Sequence, residues 1–195
     1  MARYGKEHKE ASRRRIITAA GERLKRDGID GSGVSALMAD AGLTNGAFYA
    51  HFTSKDDLVA TAVADQLHQQ LERYRAAPAG KDGVERLVRE YLSVAHRDDT
   101  QHGCPSAALL DEIGRGSDAT KRAYTDGLMP LADEIAFRLA PDDPASARAQ
   151  TFSLFALLIG TLQLSRALAD RRLADEVLEH GIENALALIE LATTL

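Results

Sequence analysis

Cysteine is almost missing from the 195-residue chain: Cys104 stands alone, which excludes an internal disulfide framework and points to a reducing cytoplasm. The opening residues Met1-Ala2-Arg3-Tyr4-Gly5-Lys6 hold no apolar run of the kind a secretory signal needs. The longest strongly apolar stretch, Phe152 to Leu164, is interrupted by Ser153, Gly160, Thr161 and Gln163. It falls short of the roughly 20 residues that cross a bilayer, so it reads as a buried helix and no membrane partner is expected. No five-residue window is rich enough in β-branched residues to read as a strand, and there is no repeat or low-complexity tract. A glycine-rich phosphate loop and a paired-carboxylate constellation are also missing, so neither an enzyme nor a cofactor is expected.

What is present suits a folded protein: 45% hydrophobic and 27% charged residues are too apolar a mix for disorder. The net charge of -5 argues against a nucleic-acid partner only until it is divided along the chain. Residues 1–55 carry ten Lys and Arg against six Asp and Glu, whereas residues 56–195 carry fourteen against twenty-three. A basic end on an acidic body is the electrostatic footprint of a DNA-facing segment, although Arg13-Arg14-Arg15 alone also suits a solvated helix start.

The periodicity is helical throughout. Ser12 is placed to cap a first helix through Ile16, Ile17, Ala20 and Leu24, closed by Gly28. Ser32 or Gly33 opens a short second helix, Val34 to Asp40, which stops at Ala41-Gly42-Leu43; Thr44 caps a third from Asn45 to about Ala50. Ser54 caps a long fourth helix to about Arg75, ended by Pro78-Ala79-Gly80. Later helices are expected near 83–96, 105–114, 118–140, 144–169 and 172–193. The expectation is an all-α chain of about nine helices, with a three-helix unit over residues 1–55 and a helical body over 56–195.

Within the first unit, Val34, Leu37, Leu43, Phe48 and Phe52 are spaced to pack two short helices across the Gly42 turn. Asn45 and Tyr49, four apart, share the opposite face, with Thr44 and Gly46 beside them. Short polar groups at a helix start, with glycine and alanine allowing close approach, are what a recognition helix presents to a major groove. Tyr49, His51 and Lys55 can donate to phosphates, and the helix start near Ser35 adds positive potential.

The stretch Leu37-Met38-Ala39-Asp40-Ala41-Gly42-Leu43-Thr44-Asn45-Gly46-Ala47-Phe48-Tyr49-Ala50-His51-Phe52-Thr53-Ser54-Lys55-Asp56-Asp57-Leu58 resembles the signature of the tetracycline-repressor (TetR) family. The resemblance implies that Thr44, Asn45, Gly46 and Ala47 lie at the bases of a double-stranded operator, while Tyr49, His51 and Lys55 grip the backbone. Two positions depart from the pattern: Gly33 replaces a common capping threonine and Met38 a common small residue. The resemblance also implies a divergent body that binds a small-molecule effector and pairs into a homodimer through its last two helices.

Dimerisation has separate support. Apolar residues surround the helix from Phe152 to Leu168, and Val177, Leu178, Ile182, Leu186, Leu188, Ile189 and Leu191 exceed one stripe in the last helix, so both need more cover than one neighbour supplies. The expected effector pocket draws on Tyr74, Tyr91, Leu110, Tyr124, Met129 and Phe155, with Cys104 beside it. Cys104 sits at an expected helix N-terminus, where a thiol gains reactivity, so redox or electrophile sensing is one alternative and a small buried hydrophobe the other. His96, His102 and Cys104 lack metal-ligand spacing, and no metal is expected.

Overall fold

A computed structural model describes residues 2–192, with side chains described from 7 to 190. Among the described residues it contains nine α-helices, one 3-10 helix and no strand. Helix α1 spans Ala2–Asp27. It starts well before Ser12, which is buried inside it and caps nothing, so the expected start is corrected. Its inner face (Ile16, Ile17, Ala20, Leu24) is buried, and Gly28, at a φ of 79°, ends it in the left-handed conformation that glycine alone adopts freely.

Helix α2 (Val34–Asp40) has Gly33 at its N-cap. Ser32 does not take over that cap: its hydroxyl donates to the Gly28 carbonyl at 2.6 Å. The helix closes with the amide of Leu43 on the Met38 carbonyl and that of Gly42 on Ala39, both at 2.9 Å, with Gly42 at a φ of 66°. This is the Schellman arrangement that Ala41-Gly42-Leu43 foretells. The next segment, Asn45–Ala50, is a 3-10 helix rather than an α-helix. Its six residues are held between the Gly42 turn and the buried rings of Phe48 and Phe52, too short a run to repay α-helix nucleation.

Helix α3 (Lys55–Ala76) begins at Ser54, whose hydroxyl accepts the Asp57 amide at 3.1 Å, while Asp57 accepts the amide of Thr53 at 2.9 Å. It packs between α1 and α7 (Asp118–Leu139), burying Leu58, Val63 and Leu67. The helix expected near 83–96 is two: α4 (Gly80–Tyr91) and the short α5 (Val94–Asp98), which Ser93 caps after a break at Leu92. Helix α6 (Pro105–Arg115) has proline in its first turn, the position that needs no amide. Arg138 of α7 donates to the Tyr74 carbonyl at 2.6 Å and also to Pro78, satisfying the end of α3.

The chain ends in α8 (Arg148–Ala167), which starts after the Asp143–Arg148 turns rather than at 144, and α9 (Arg171–Ala192). They pack along each other, with Gln150 at the start of α8 bonded to the Leu188 carbonyl near the end of α9. Leu154, Leu158, Leu162, Leu178 and Ile189 are buried between them and the rest of the chain, whereas Phe152, Leu164 and Leu173 stay exposed and Leu157, Val177 and Leu186 half-buried. The Leu191 side chain lies outside the described residues. Among the described residues no helix is long and apolar enough to cross a membrane.

Candidate nucleic-acid interface

The 3-10 helix has two unlike faces. Phe48 turns inward, its ring 5.9 Å from that of Phe52 and 5.1 Å, edge to face, from that of Tyr49. Outward, Thr44, Asn45 and Gly46 are exposed and Ala47 is half-buried. Tyr49 is 77% exposed although its ring leans on Phe48, a side chain held in place with its hydroxyl left to solvent. Thr44 occupies the N-cap position but makes no capping bond, so its hydroxyl remains available. A β-carbon added at Gly46 would meet no atom within 4 Å, so packing inside this chain does not require glycine there.

Around this face lie Ser35, exposed in the first turn of α2, and the exposed Lys9 and Arg13 of α1. The Arg13 guanidinium stacks 5.0 Å from the centre of the Phe52 ring, which fixes a cation beside the 3-10 helix. The basic run singled out this arginine only as a member of Arg13-Arg14-Arg15; the aromatic seat that holds it comes from a residue 39 positions away. His51 is half-buried, and its Nδ1 has no partner. Burial, together with Lys9 and Arg13, pushes its pKa down. Lys55 stands apart from these: its ammonium donates to the Ile29 carbonyl at 2.6 Å and holds the loop between α1 and α2.

The body places its expected pocket residues in three locations. Tyr74, Tyr91 and Cys104 line one cleft of about 240 Å³ between α3, α4 and the 96–104 segment. Phe155 meets Tyr74 instead at a small apolar void deeper between α4, α7 and α8. Leu110, Tyr124 and Met129 line neither; Tyr124 donates to Ser106 at 3.0 Å and the Met129 sulfur lies near Arg148. At the cleft, the Cys104 thiol donates to Gln70 Oε1 at 3.3 Å, while its amide donates to His96 Nε2 at 2.9 Å. His96 Nδ1 faces the Tyr91 carbonyl at 2.7 Å, so the ring is neutral with its proton on Nδ1. His102 is exposed and paired with Asp99. Neither imidazole bonds the sulfur, and among the described residues no three side chains are placed to hold a metal ion.

Four long-range hydrogen bonds, made by two side chains, escaped sequence reasoning. The Glu112 carboxylate of α6 accepts the amides of Ile29 at 2.6 Å and Asp30 at 3.1 Å. Lys25 of α1 is only 5% exposed, and its ammonium reaches Gln66 Oε1 at 2.6 Å and the Gly103 carbonyl at 3.0 Å. Burial lowers its pKa to about 8. A lysine in the last turn of a helix ordinarily reads as a solvated partner of the helix dipole, and nothing nearby in the chain signals otherwise.

The family model for "Bacterial regulatory proteins, tetR family" matches residues 16–62, from the inner face of α1 across the 3-10 helix into α3. Over those residues the chain is TetR-like in sequence. Among curated TetR-like relatives, the HTH-type transcriptional regulator UidR of Escherichia coli is 27% identical over 85 residues, 44% of this chain and 43% of UidR. TtgR of Pseudomonas putida is 33% identical over 87 residues, 45% of this chain and 41% of TtgR. The matches thus span less than half of each relative. Solved structures are similar over far more of the chain. The reduced form of E. coli NemR aligns with a TM-score of 0.76 at 18% identity, covering 90% of this chain and 95% of NemR. A TetR-family regulator from Agrobacterium tumefaciens aligns at 0.72 and 18% identity, covering 90% and 98%. At that identity the likeness shows a shared fold, in which α4 to α9 are TetR-like in arrangement as α1 to α3 are TetR-like in sequence.

Proposed function

We propose that this chain is a cytoplasmic TetR-family transcriptional repressor that binds a palindromic operator as a homodimer and is released by a small-molecule effector. Residues 1–55 form the reading head and residues 56–195 the body that senses and pairs. One observation carries the reading: Asn45, Gly46 and Tyr49 form an exposed face whose side chains have no hydrogen-bond partner within the described residues, directly over the buried Phe48. Thr44, Asn45, Gly46 and Ala47 meet the base edges; Tyr49, His51 and the start of α2 at Ser35 meet phosphates. Lys55 reaches a phosphate only by leaving Ile29, so its share is indirect, through the loop it anchors. The glycine at 46, for which the fold has no steric need, suits close approach to a duplex.

Pairing is supported by the exposed Phe152, Leu164 and Leu173 on the last two helices, and by geometry, since one six-residue reading element covers too few base pairs for useful specificity. Selection of bound duplexes from a random pool with the full chain tests this reading. The expected result is a palindrome with half-sites about one helical turn apart. Binding with strong salt dependence but no enriched sequence contradicts it in favour of an architectural binder.

A second reading, relief of repression by oxidants or electrophiles at Cys104, draws on the thiol's place at the wall of the cleft and at the N-cap of α6. Treatment with N-ethylmaleimide followed by intact-mass and operator-binding measurements decides it. A single adduct that abolishes binding supports it; a modified protein with unchanged affinity removes it.

A further inference from the structure

The wall of the cleft beside Cys104 holds a hydroxyl with no hydrogen-bond partner. It belongs to Tyr91, which lines the cleft and is 8% exposed, its hydroxyl oxygen shut off from water. The Cys104 sulfur lies beside it, but the thiol's hydrogen is directed at Gln70 and no bond of sound geometry closes between them. A buried donor left unmatched costs free energy, and such groups mark places where a partner arrives.

The field around that hydroxyl is positive. Lys25 has only neutral acceptors, Gln66 and the Gly103 carbonyl. Arg166 is spent on three backbone carbonyls, those of His96, Arg97 and Ala107. Arg73 stands at the cleft without a carboxylate partner among the described residues. The acids nearby are already matched, Glu90 by Arg86 at 2.7 Å and Asp99 by His102 at 2.9 Å. The neutral His96 in their midst agrees: burial and the repulsion of Arg166, Arg73 and Lys25 hold its pKa below 6.5 against the pull of the Tyr91 carbonyl. Apolar surface from Tyr74 and Leu87 completes the walls.

We propose that this cleft is the effector site and that it takes a small organic anion, an oxyanion on one apolar ring or short chain, which accepts the Tyr91 hydroxyl, meets Arg73 at the cleft and lies in the field of Lys25 and Arg166 behind its wall. The volume of about 240 Å³ is below that of a drug-sized site, and the apolar void beyond Tyr74 offers only about 10 Å³, so long acyl chains are excluded. The assignment rests on the effector reading above for its regulatory meaning. Gly103 lines the cleft and its carbonyl holds Lys25, so an occupant that moves this loop also moves α1, on which the reading head packs.

Calorimetric titration of the full chain with benzoate, phenylacetate and butyrate, each against its neutral amide, tests the site. At least one carboxylate is expected to bind about tenfold or more tightly than its amide, and Tyr91→Phe to weaken it about tenfold, as loss of a hydrogen bond to a charged group does. Arg73→Gln, at an exposed position, weakens binding severalfold and flattens its salt dependence. Because Tyr91→Phe removes an unmatched hydroxyl and keeps the ring, its Tm should equal or exceed the wild type's. No carboxylate binding, equal binding of acid and amide, or a Tyr91→Phe protein that binds as the wild type does each overturns the proposal. Binding to a selected duplex is measured on the same samples. Lost anion binding with intact DNA binding refutes the cleft alone, and the reverse refutes the DNA reading alone.

Discussion

Among the described residues two tyrosines have hydroxyls without a hydrogen-bond partner, and their surroundings give that fact opposite meanings. Tyr49 is 77% exposed on the 3-10 helix, where water satisfies its hydroxyl at no cost; Tyr91 is 8% exposed, where an unmatched donor costs roughly 1–3 kcal/mol. The first is free to meet a large surface, and the second can be matched only by something small enough to enter. The same contrast separates their neighbourhoods. Around Tyr49, rigid hydrophobic seats on Phe48 and Phe52 hold polar groups out; around Tyr91, cations are drawn into the interior and tied to neutral oxygens.

The sharpest way to break the comparison is to unfold one region alone. Phe48 is fully buried under the reading face, and Phe48→Ala is expected to cost about 3–5 kcal/mol. Amide hydrogen exchange should then show protection lost over residues 34–52 while α7 and α8 keep theirs. Equal loss everywhere would make the two regions one cooperative unit, joined through Lys25 and Glu112.

An intermediate effect comes from pH. Folded His96 resists protonation because burial disfavours the imidazolium, and its Nε2 already accepts the Cys104 amide. Below about pH 6.5 the unfolded chain takes up a proton that folded His96 refuses, so stability is present above that pH and declines as the pH falls. His96→Gln should show a shallower loss of Tm between pH 7 and 5 than the wild type; an equally steep loss would place the sensitivity elsewhere.

The smallest effect compares two caps. Ser54→Ala is expected to cost about 1 kcal/mol in chemical denaturation, because the serine holds the Asp57 amide, whereas Thr44→Ala, which removes no capping bond, should cost close to nothing. Equal costs would mean that Thr44 serves the fold rather than a partner.

Much of the fold was legible because it is written in local chemistry. Gly42 announced the α2 stop, Ser54 the start of α3, and the apolar spacing of Val34, Leu37, Phe48 and Phe52 the packing of the first unit. Where the reading went astray, local signals competed: Ser12 has the chemistry of a cap but lies mid-helix, and the break at Leu92 carries neither glycine nor proline. The body's site was less legible for a different reason. Tyr74, Tyr91 and Cys104 meet at one cleft, but Leu110, Tyr124 and Met129 have the same composition and lie elsewhere, since composition says which side chains are apolar and not which wall they join. Lys25 meets Gly103 across 78 positions and Glu112 meets Ile29 across 83, contacts that no periodicity encodes.

The most direct measurement compares the full-length wild type, Asn45→Ala and Gly46→Ala on the selected duplex, on its single-base variants and on an unrelated duplex. Asn45→Ala should lose about 1–3 kcal/mol on the selected duplex, relax discrimination at one base pair in each half-site and leave unrelated DNA unaffected. Gly46→Ala should keep the wild-type Tm, because its β-carbon meets open space, and still bind the operator more weakly. Unchanged affinity and base preference in both variants would contradict the account, for the exposed face at Asn45 would then not be what reads the DNA.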